Sequence, residues 1–156
     1  MCTPAIRALR HSLPDCHLTL LSSPSGAAAA PCIPELDDAI SLRAPWMKHE
    51  APENAAALQE CAAQLAARRF DAAVIFTSYS QSPLPAALLC HLAGIPLRLA
   101  SCRENPYGLL SDWVPERELE RASRHEVQRQ LDLVAHVGCA ATDTALSFSI
   151  AAADAA

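Results

Sequence analysis

The residues 72–77, AAVIFT, constrain the fold of this chain more than any other stretch. They are apolar at almost every position and show no alternation with polar residues. This pattern is typical of a strand covered on both faces, and such strands belong mainly to parallel sheets. Parallel strands need long crossover connections, usually helices. The run therefore predicts an α/β fold.

Helical and strand patterns alternate along the rest of the chain. Helices are predicted over 3–13, 24–32, 53–69, 83–93 and 123–137. Strands are predicted over 17–22, 38–42, 72–77 and 97–101, with a long loop over 102–116 and either a strand or a linker over 145–150. This order predicts an open, mostly parallel sheet with right-handed crossovers.

Two of the helix starts carry recognisable signals. Thr3 is a suitable N-cap and Pro4 a suitable first helical residue, while Ser123 and Glu126 form a capping box, S-x-x-E. The Thr3 helix differs from the later helices because no strand pattern precedes it. A sheet of this kind normally begins with a strand, so the pattern begins one element late.

Charge and hydropathy exclude several classes of protein. The net charge is −5 and no Lys/Arg stripe is present, which argues against a nucleic-acid surface. No stretch approaches the roughly 18 apolar residues that a transmembrane helix needs. The first residues also lack the basic-then-apolar order of a signal peptide. A cytoplasmic location is therefore predicted.

The seven cysteines are widely spaced and include no C-x-x-C pair. They are expected to be small apolar residues in a reducing compartment, and they offer no ligand spacing typical of zinc. The histidines are equally scattered. No metal site is predicted.

Polar loops follow several of the predicted strands, where ligands of open parallel sheets bind. The loop 77–82 places six polar residues between a strand and a helix, which suits sugar hydroxyls or a phosphate, but a solvated capped turn explains it equally simply. Arg103 could hold an anion or form an exposed ion pair, and His125, placed at the second helical position with Arg129 one turn later, could meet an anion or be a surface histidine. The candidate substrate-binding residues are Ser78, Ser80, Gln81, Arg103, Glu104, Asn105 and His125.

Three stretches of the sequence are similar to a known family. They are TPAIRALRHSLPDCHLTLLSSPSG, RRFDAAVIFTSYSQSPLPAALLCHLAGIPLRLASCREN and HEVQRQLDLVAHVG. Together they resemble the N-terminal half of the ADP-heptose:lipopolysaccharide heptosyltransferases, glycosyltransferase family 9. The third stretch is the most specific, because family members carry a His-x-Val-x-Arg-like sequence before a helix that ends in Leu-Gly.

The resemblance implies a GT-B fold, in which two Rossmann-like domains face each other across a cleft. The N-terminal domain binds the acceptor, a glycan or lipid-linked sugar of the cell envelope. The C-terminal domain binds the nucleotide-sugar donor, typically ADP-heptose. Transfer is an inverting displacement that needs neither a metal nor another cofactor. Peripheral contact with the inner membrane is a further implication for a family that builds lipopolysaccharide.

The family's general base is an aspartate in a Gly-Asp pair, which follows the first strand and precedes the Thr-Pro helix. Aligned on the family, that strand and pair fall before Met1, and the donor domain falls beyond Ala156. The resemblance thus implies an acceptor-binding domain over residues 1–143 that lacks its first strand, with a linker beginning at 144–156. No residue present is assigned as the base, since Asp15 and Asp112 do not match its position.

The chain alone is accordingly expected to be inactive in sugar transfer and to need a missing C-terminal half. Two alternatives remain open. One is a non-enzymatic sugar- or partner-binding module, or a decayed gene product, in which unpaired strand edges favour aggregation or pairing with another chain. The other is a nucleotide-binding Rossmann domain, against which the absence of a glycine-rich loop counts.

Overall fold

A computed structural model describes residues 1–47, 55–116 and 124–149 of the 156-residue chain. The helices in this part are α1 (Thr3–Ser12), α2 (Pro24–Ala29), α3 (Ala55–Arg68), α4 (Leu84–Leu92) and α5 (Glu126–Ala135). The strands are β1 (Thr19–Ser22), β2 (Asp38–Ser41), β3 (Ala72–Ile75), β4 (Leu97–Cys102) and β5 (Asp112–Pro115). Short 3-10 turns cover Ala30–Cys32 and Tyr107–Leu109.

All strand pairs among the described residues are parallel. β1 pairs with β2, with Thr19 opposite Asp38, and β3, β4 and β5 form a second sheet in that order. The predicted open, parallel α/β fold is therefore confirmed. β1 and β3 each have a single paired edge among the described residues.

Helices cover both faces of the strands. On one face α1 packs against α5, and Val74 of β3 and Phe76 just after it pack against this cluster. On the other face α3 and α4 pack together, and this cluster includes Ala73 of β3 and Ile40 of β2. Side chains of β3 thus alternate between two apolar layers, as a strand between helix layers requires.

The segment after α5 is extended and lies along α1. Arg7 of α1 donates to the Asp143 carboxylate at 2.5 Å and to the Ser147 hydroxyl at 2.6 Å. The Ser149 N–H donates to the Cys32 carbonyl at 2.8 Å. No strand forms over the described residues 143–149, so the strand alternative for 145–150 is not observed there; Ile150 lies outside the described residues.

The long loop predicted over 102–116 is wrong in one respect, because it contains β5. The segment is short and ends in Pro115, so its strand pattern is weak. It forms because an edge position tolerates proline and because β4 supplies a ladder. The half-buried Trp113 adds a hydrogen bond from its indole N–H to the Cys102 carbonyl at 2.9 Å.

Two predicted helix caps are also wrong. Cys2 is the N-cap of α1, and Thr3 is already helical, its hydroxyl accepting the Ser147 N–H at 3.1 Å. The N-cap of α5 is His125, so the predicted start at Ser123 and the capping box do not hold, and Ser123 itself lies outside the described residues. His125 is therefore not the second helical residue. The ends of a helix depend on local contacts, so the residue at which a helix begins can shift by one or two positions.

All seven cysteines are free thiols, and four of them, Cys61, Cys90, Cys102 and Cys139, are buried. This agrees with their prediction as small apolar residues. Burial raises the pKa of the Cys61 and Cys90 thiols, which pack within the same cluster between α3 and α4.

Candidate functional site

The candidate residues lie beyond the carboxyl ends of the second sheet. Ser78 follows β3, Arg103 follows β4, and Glu116 follows β5. The first turn of α5 reaches the same edge, since Arg129 contacts both Glu116 and the Thr77 carbonyl. Parallel strands end at one edge, so residues distant in sequence are brought together there.

The loop after β3 is organised by Gln81. Its side-chain oxygen accepts the Ser78 N–H at 3.2 Å and the Ser78 hydroxyl at 3.1 Å. The Ser78 and Ser80 hydroxyl oxygens lie 3.3 Å apart, and the three side chains are exposed. Ser82 also contributes a cap-like contact, because its hydroxyl accepts the Leu84 N–H at 3.4 Å. The loop therefore combines a helix-start contact with an exposed set of neutral hydrogen-bonding groups.

The loop after β4 is joined to this one by stacking. The Arg103 guanidinium lies over the Tyr79 ring, 5.1 Å from its centroid, which is a cation–π distance. Arg103 is exposed and makes no ion pair among the described residues. The alternative of an exposed ion pair is therefore not observed there, and the planar cation is held in place while its donors stay accessible.

Glu104 and Asn105 have local partners. The Cys102 thiol donates to Glu104 at 3.3 Å, and the Asn105 side-chain oxygen accepts the Tyr107 N–H at 2.9 Å. Backbone and thiol hydrogen bonds lower the pKa of Glu104, while burial, reinforced by the Glu104 carboxylate, raises the pKa of Cys102 to about 11. Asn105 closes a side-chain turn that supports the left-handed Tyr107, whose φ is 47°.

His125 lies at the start of α5 rather than on either loop. Its Nδ1 accepts the Val127 N–H at 3.3 Å and caps α5. Nε2 is left as the free polar atom of an exposed ring. No hydrogen bond joins His125 to either loop within the described part of the chain. The other six candidates lie on the two loops that the contact of Arg103 with Tyr79 joins.

A buried polar network beneath the site was not predicted from the sequence. Arg129 donates through Nε to Glu116 at 2.7 Å, and the two side chains are 4% and 3% exposed. The same guanidinium bonds Glu126 at 3.0 Å. The alternative in which Arg129 binds an anionic ligand is not favoured, because the carboxylates of Glu116 and Glu126 already pair with it.

Arg129 and Gln130 also fix the start of the loop Ser78–Gln81, which we call the serine loop. Both donate to the Thr77 carbonyl, Gln130 over 2.9 Å. Thr77 directly precedes Ser78, so α5 fixes the point at which the loop leaves β3. One signal in the sequence could have indicated this contact: Arg129 and Gln130 lie between the apolar positions of α5.

This arrangement suits a hydroxyl-rich ligand that is either uncharged or carries one negative group. Serine hydroxyls and the glutamine amide donate and accept hydrogen bonds, and Arg103 offers one planar cation. Among the residues that the structure describes, no group of three or more His, Cys, Asp or Glu side chains could hold a metal ion. The seven candidate residues stay predictions as ligand contacts.

Two solved structures are similar to this chain. An ADP-heptose lipopolysaccharide heptosyltransferase II from E. coli matches 97% of the chain with a TM-score of 0.72 and 19% identity. A glycosyl transferase of family 9 from Veillonella parvula DSM 2008 matches 96% with a TM-score of 0.73 and 18% identity. The fold expected from the resemblance, an open Rossmann-like sheet of the GT-B kind, is thereby confirmed.

The chain spans 43% and 40% of the lengths of these two proteins. No family model matches the sequence, and neither does any curated protein. Among the described helices, none combines the length and the apolar character needed to cross a bilayer.

Proposed function

We propose that this chain is the acceptor-binding part of a heptosyltransferase-like glycosyltransferase. It accepts a cell-envelope glycan or lipid-linked sugar in the cytoplasm, close to the inner membrane. A second, donor-binding half supplies a nucleotide sugar such as ADP-heptose, and transfer inverts the anomeric centre without a metal. Residues 1–143 form the acceptor domain in this proposal, and 144–156 lead toward the donor half.

The observation that carries the proposal is the polar surface of the Ser78–Gln81 loop at the carboxyl edge of β3. Its hydroxyls and amide are exposed but already oriented by hydrogen bonds among themselves. Pre-oriented neutral groups suit sugar hydroxyls, because little side-chain freedom is lost on binding. The fold shared with two glycosyltransferases supports the same reading.

A general base has to reach the acceptor hydroxyl whose proton it removes. The proposal assigns the described loops to binding only and places the base, an aspartate, outside these 156 residues. The chain alone is therefore expected to bind an acceptor without transferring sugar to it.

Acceptor binding can be tested by titrating the isotope-labelled chain with single sugars, namely a hexose, a heptose and a uronic acid, and following backbone amide shifts. We expect shifts at Ser78, Gln81 and Arg103 for at least one sugar. Gln81→Ala should weaken that binding by about tenfold, since the loss of a hydrogen bond that also orients a neighbour costs about 1–1.5 kcal/mol. Gln64→Ala, at an exposed position of α3, is the matched control.

Shifts confined to other surfaces, or equal effects of the two glutamine variants, would contradict the assigned site. Incubation with ADP-heptose and a sugar acceptor then tests activity separately. Detectable transfer by the purified chain would refute the expectation that it is incomplete as a catalyst. Sugar binding that no complementary half converts into transfer would favour the non-enzymatic module.

A further inference from the structure

One tyrosine of the loop after β4 projects into solvent. Tyr107 begins a 3-10 turn and is 84% exposed, the largest exposure of any large apolar side chain among the described residues. Its N–H bonds Asn105, but its hydroxyl and its ring have no hydrogen-bond, stacking or cation partner in the same part of the chain. A single exposed apolar residue is ordinary on a protein surface. The exposure of Tyr107 gains meaning only from the backbone that displays the ring.

That backbone holds Tyr107 in a conformation that a residue with a side chain disfavours. Its φ is 47°, in the left-handed region. Glycine would adopt this conformation freely, yet the glycine of the turn is the next residue, Gly108, which has no positive φ. Strain of this kind persists only where the surrounding structure maintains it, and it is typical of functional sites.

Buried contacts maintain the turn. The Asn105 side-chain oxygen accepts the Tyr107 N–H at 2.9 Å. The guanidinium of Arg98, which is only 9% exposed, donates to the Gly108 carbonyl at 3.1 Å and to the Leu109 carbonyl at 2.7 Å. No carboxylate pairs with Arg98 among the described residues, so backbone carbonyls alone compensate this costly buried cation. The ring of Tyr107 is therefore displayed on a fixed backbone.

The turn lies beside the candidate site. Leu109 packs against the same apolar cluster as Leu84, which begins α4 shortly after the serine loop, and the last residue of β3, Ile75, belongs to that cluster. Tyr107 is the fourth residue after Arg103. Their Cα atoms therefore lie at most about 14 Å apart, a distance that two linked sugar rings can span.

We infer that Tyr107 is the platform for a second sugar ring, next to the ring that the serine loop binds. This inference rests on the proposed function, because it extends the same site from one sugar to two. One face of a pyranose ring presents mainly C–H groups, and a flat aromatic ring packs on such a face through dispersion and burial of apolar area. The tyrosine hydroxyl can exchange hydrogen bonds with sugar hydroxyls at the same time.

The surroundings of Tyr107 favour a sugar over an apolar surface. The three residues Arg103, Glu104 and Asn105 are exposed and polar, and they precede the ring directly on the same loop. A bilayer or a protein partner would instead favour a contiguous apolar patch. The turn is fixed and a tyrosine side chain has only two rotatable χ angles, so little conformational freedom is lost when a ligand covers the ring.

The test adds glucose, mannose, maltose, cellobiose and mannobiose to the isotope-labelled full chain and follows backbone amide shifts. At least one disaccharide is expected to shift both Ser78 and Tyr107 and to bind about tenfold more tightly than its own monosaccharide. Tyr107→Asn, which tolerates the left-handed backbone but lacks the ring, should remove that gain. Tyr107→Phe should keep most of it. Phe148→Ala removes another exposed ring and is the matched control, which should bind as the parent chain does.

The outcomes separate this inference from the proposed function. A disaccharide that shifts Ser78 and Gln81 but not Tyr107, or that binds Tyr107→Asn as tightly as the parent chain, would overturn the inference and leave the proposed function intact. No response at Ser78 and Gln81 to any sugar would contradict the proposed function, and the inference would fail with it. Phosphatidylcholine vesicles that shift Tyr107 when no sugar does would assign the ring to a bilayer and would also overturn the inference.

Discussion

Arg129 and Glu116 form an ion pair that joins the first turn of α5 to the end of β5. The guanidinium Nε donates to a Glu116 oxygen at 2.7 Å, and both side chains are almost completely buried. The pair connects the candidate site to the sheet, because Arg129 also donates to the carbonyl of Thr77, which directly precedes the serine loop.

Arg129→Met should destabilise the protein by about 3 kcal/mol, because it leaves the Glu116 carboxylate with less charge compensation in a buried position. Urea unfolding measures the loss. The matched control is Arg68→Met, which breaks a pair with Asp38 whose side chains are 36% and 41% exposed. That exposed pair is worth less than about 1 kcal/mol. Equal losses for the two variants would contradict the structural role given to Arg129.

The acid stability of the chain should depend on Glu35. Burial raises the pKa of this carboxyl, but hydrogen bonds from Ser147 and Arg7 outweigh it and leave the pKa below the usual 4.5. The folded state therefore favours the ionised form. The stability that Glu35 contributes is complete above about pH 4.5 and is lost as the pH falls through the lowered folded-state pKa.

Urea unfolding between pH 2 and 7 should show this loss in the parent chain. Arg7→Met removes the cation that bonds Glu35 at 3.0 Å and should flatten the slope below pH 4.5. Arg43→Met, at an exposed position, should leave the slope unchanged. A slope that is identical in all three proteins would show that the Arg7 contacts do not set the acid transition.

Cys102 should react slowly with alkylating reagents despite lying next to an exposed loop. Its side chain is buried and its pKa is raised to about 11, so about one thiol in a thousand is a thiolate at pH 8. The partly exposed Cys16 and Cys32 should be modified first by iodoacetamide, as peptide mass mapping would record. Glu104→Gln should accelerate the reaction of Cys102, because the carboxylate raises its pKa. Faster reaction of Cys102 than of Cys16 in the parent chain would contradict the burial described here.

Gly94 should be intolerant of a side chain for a backbone reason alone. Its φ is 73°, and a Cβ added there meets no atom within 4 Å. Gly94→Ala should therefore cost about 1 kcal/mol of left-handed strain without a steric clash. Gly108 has equally open surroundings and no positive φ, so Gly108→Ala should be neutral or slightly stabilising. Thermal unfolding compares them, and a loss for both variants of the same size would argue against strain as the cause.

Hydrophobic periodicity predicted most of the fold because long elements repeat their pattern often enough to be read. The helices α1, α3 and α4 and the strands β1 to β4 lie within the predicted segments or within one residue of their ends. β5 was not predicted, because four residues ending in proline show little strand pattern. It is a strand only because β4 lies beside it. The N-caps of α1 and α5 were not predicted, because the residue at which a helix begins depends on local geometry rather than on a repeating pattern.

The sequence predicted which polar residues belong to the candidate site, but not which contacts those residues make. Polar residues after β3 and β4 identified the loops, since parallel strands end at one edge. The stacking of Arg103 on Tyr79 and the burial of Arg129 depend on how two loops and a helix meet. A single arginine looks the same in sequence whether a ligand or Glu116 neutralises it.

The sequence by itself determined most of the secondary structure and the parallel α/β class, because both follow from the spacing of apolar residues along the chain. It also determined which loops carry polar groups. Only the tertiary structure decided that Arg129 is an internal ion-pair partner, that β5 exists, and that β3 lies between two helix layers. Those features arise from contacts between residues far apart in sequence, and no local pattern encodes which partners will meet.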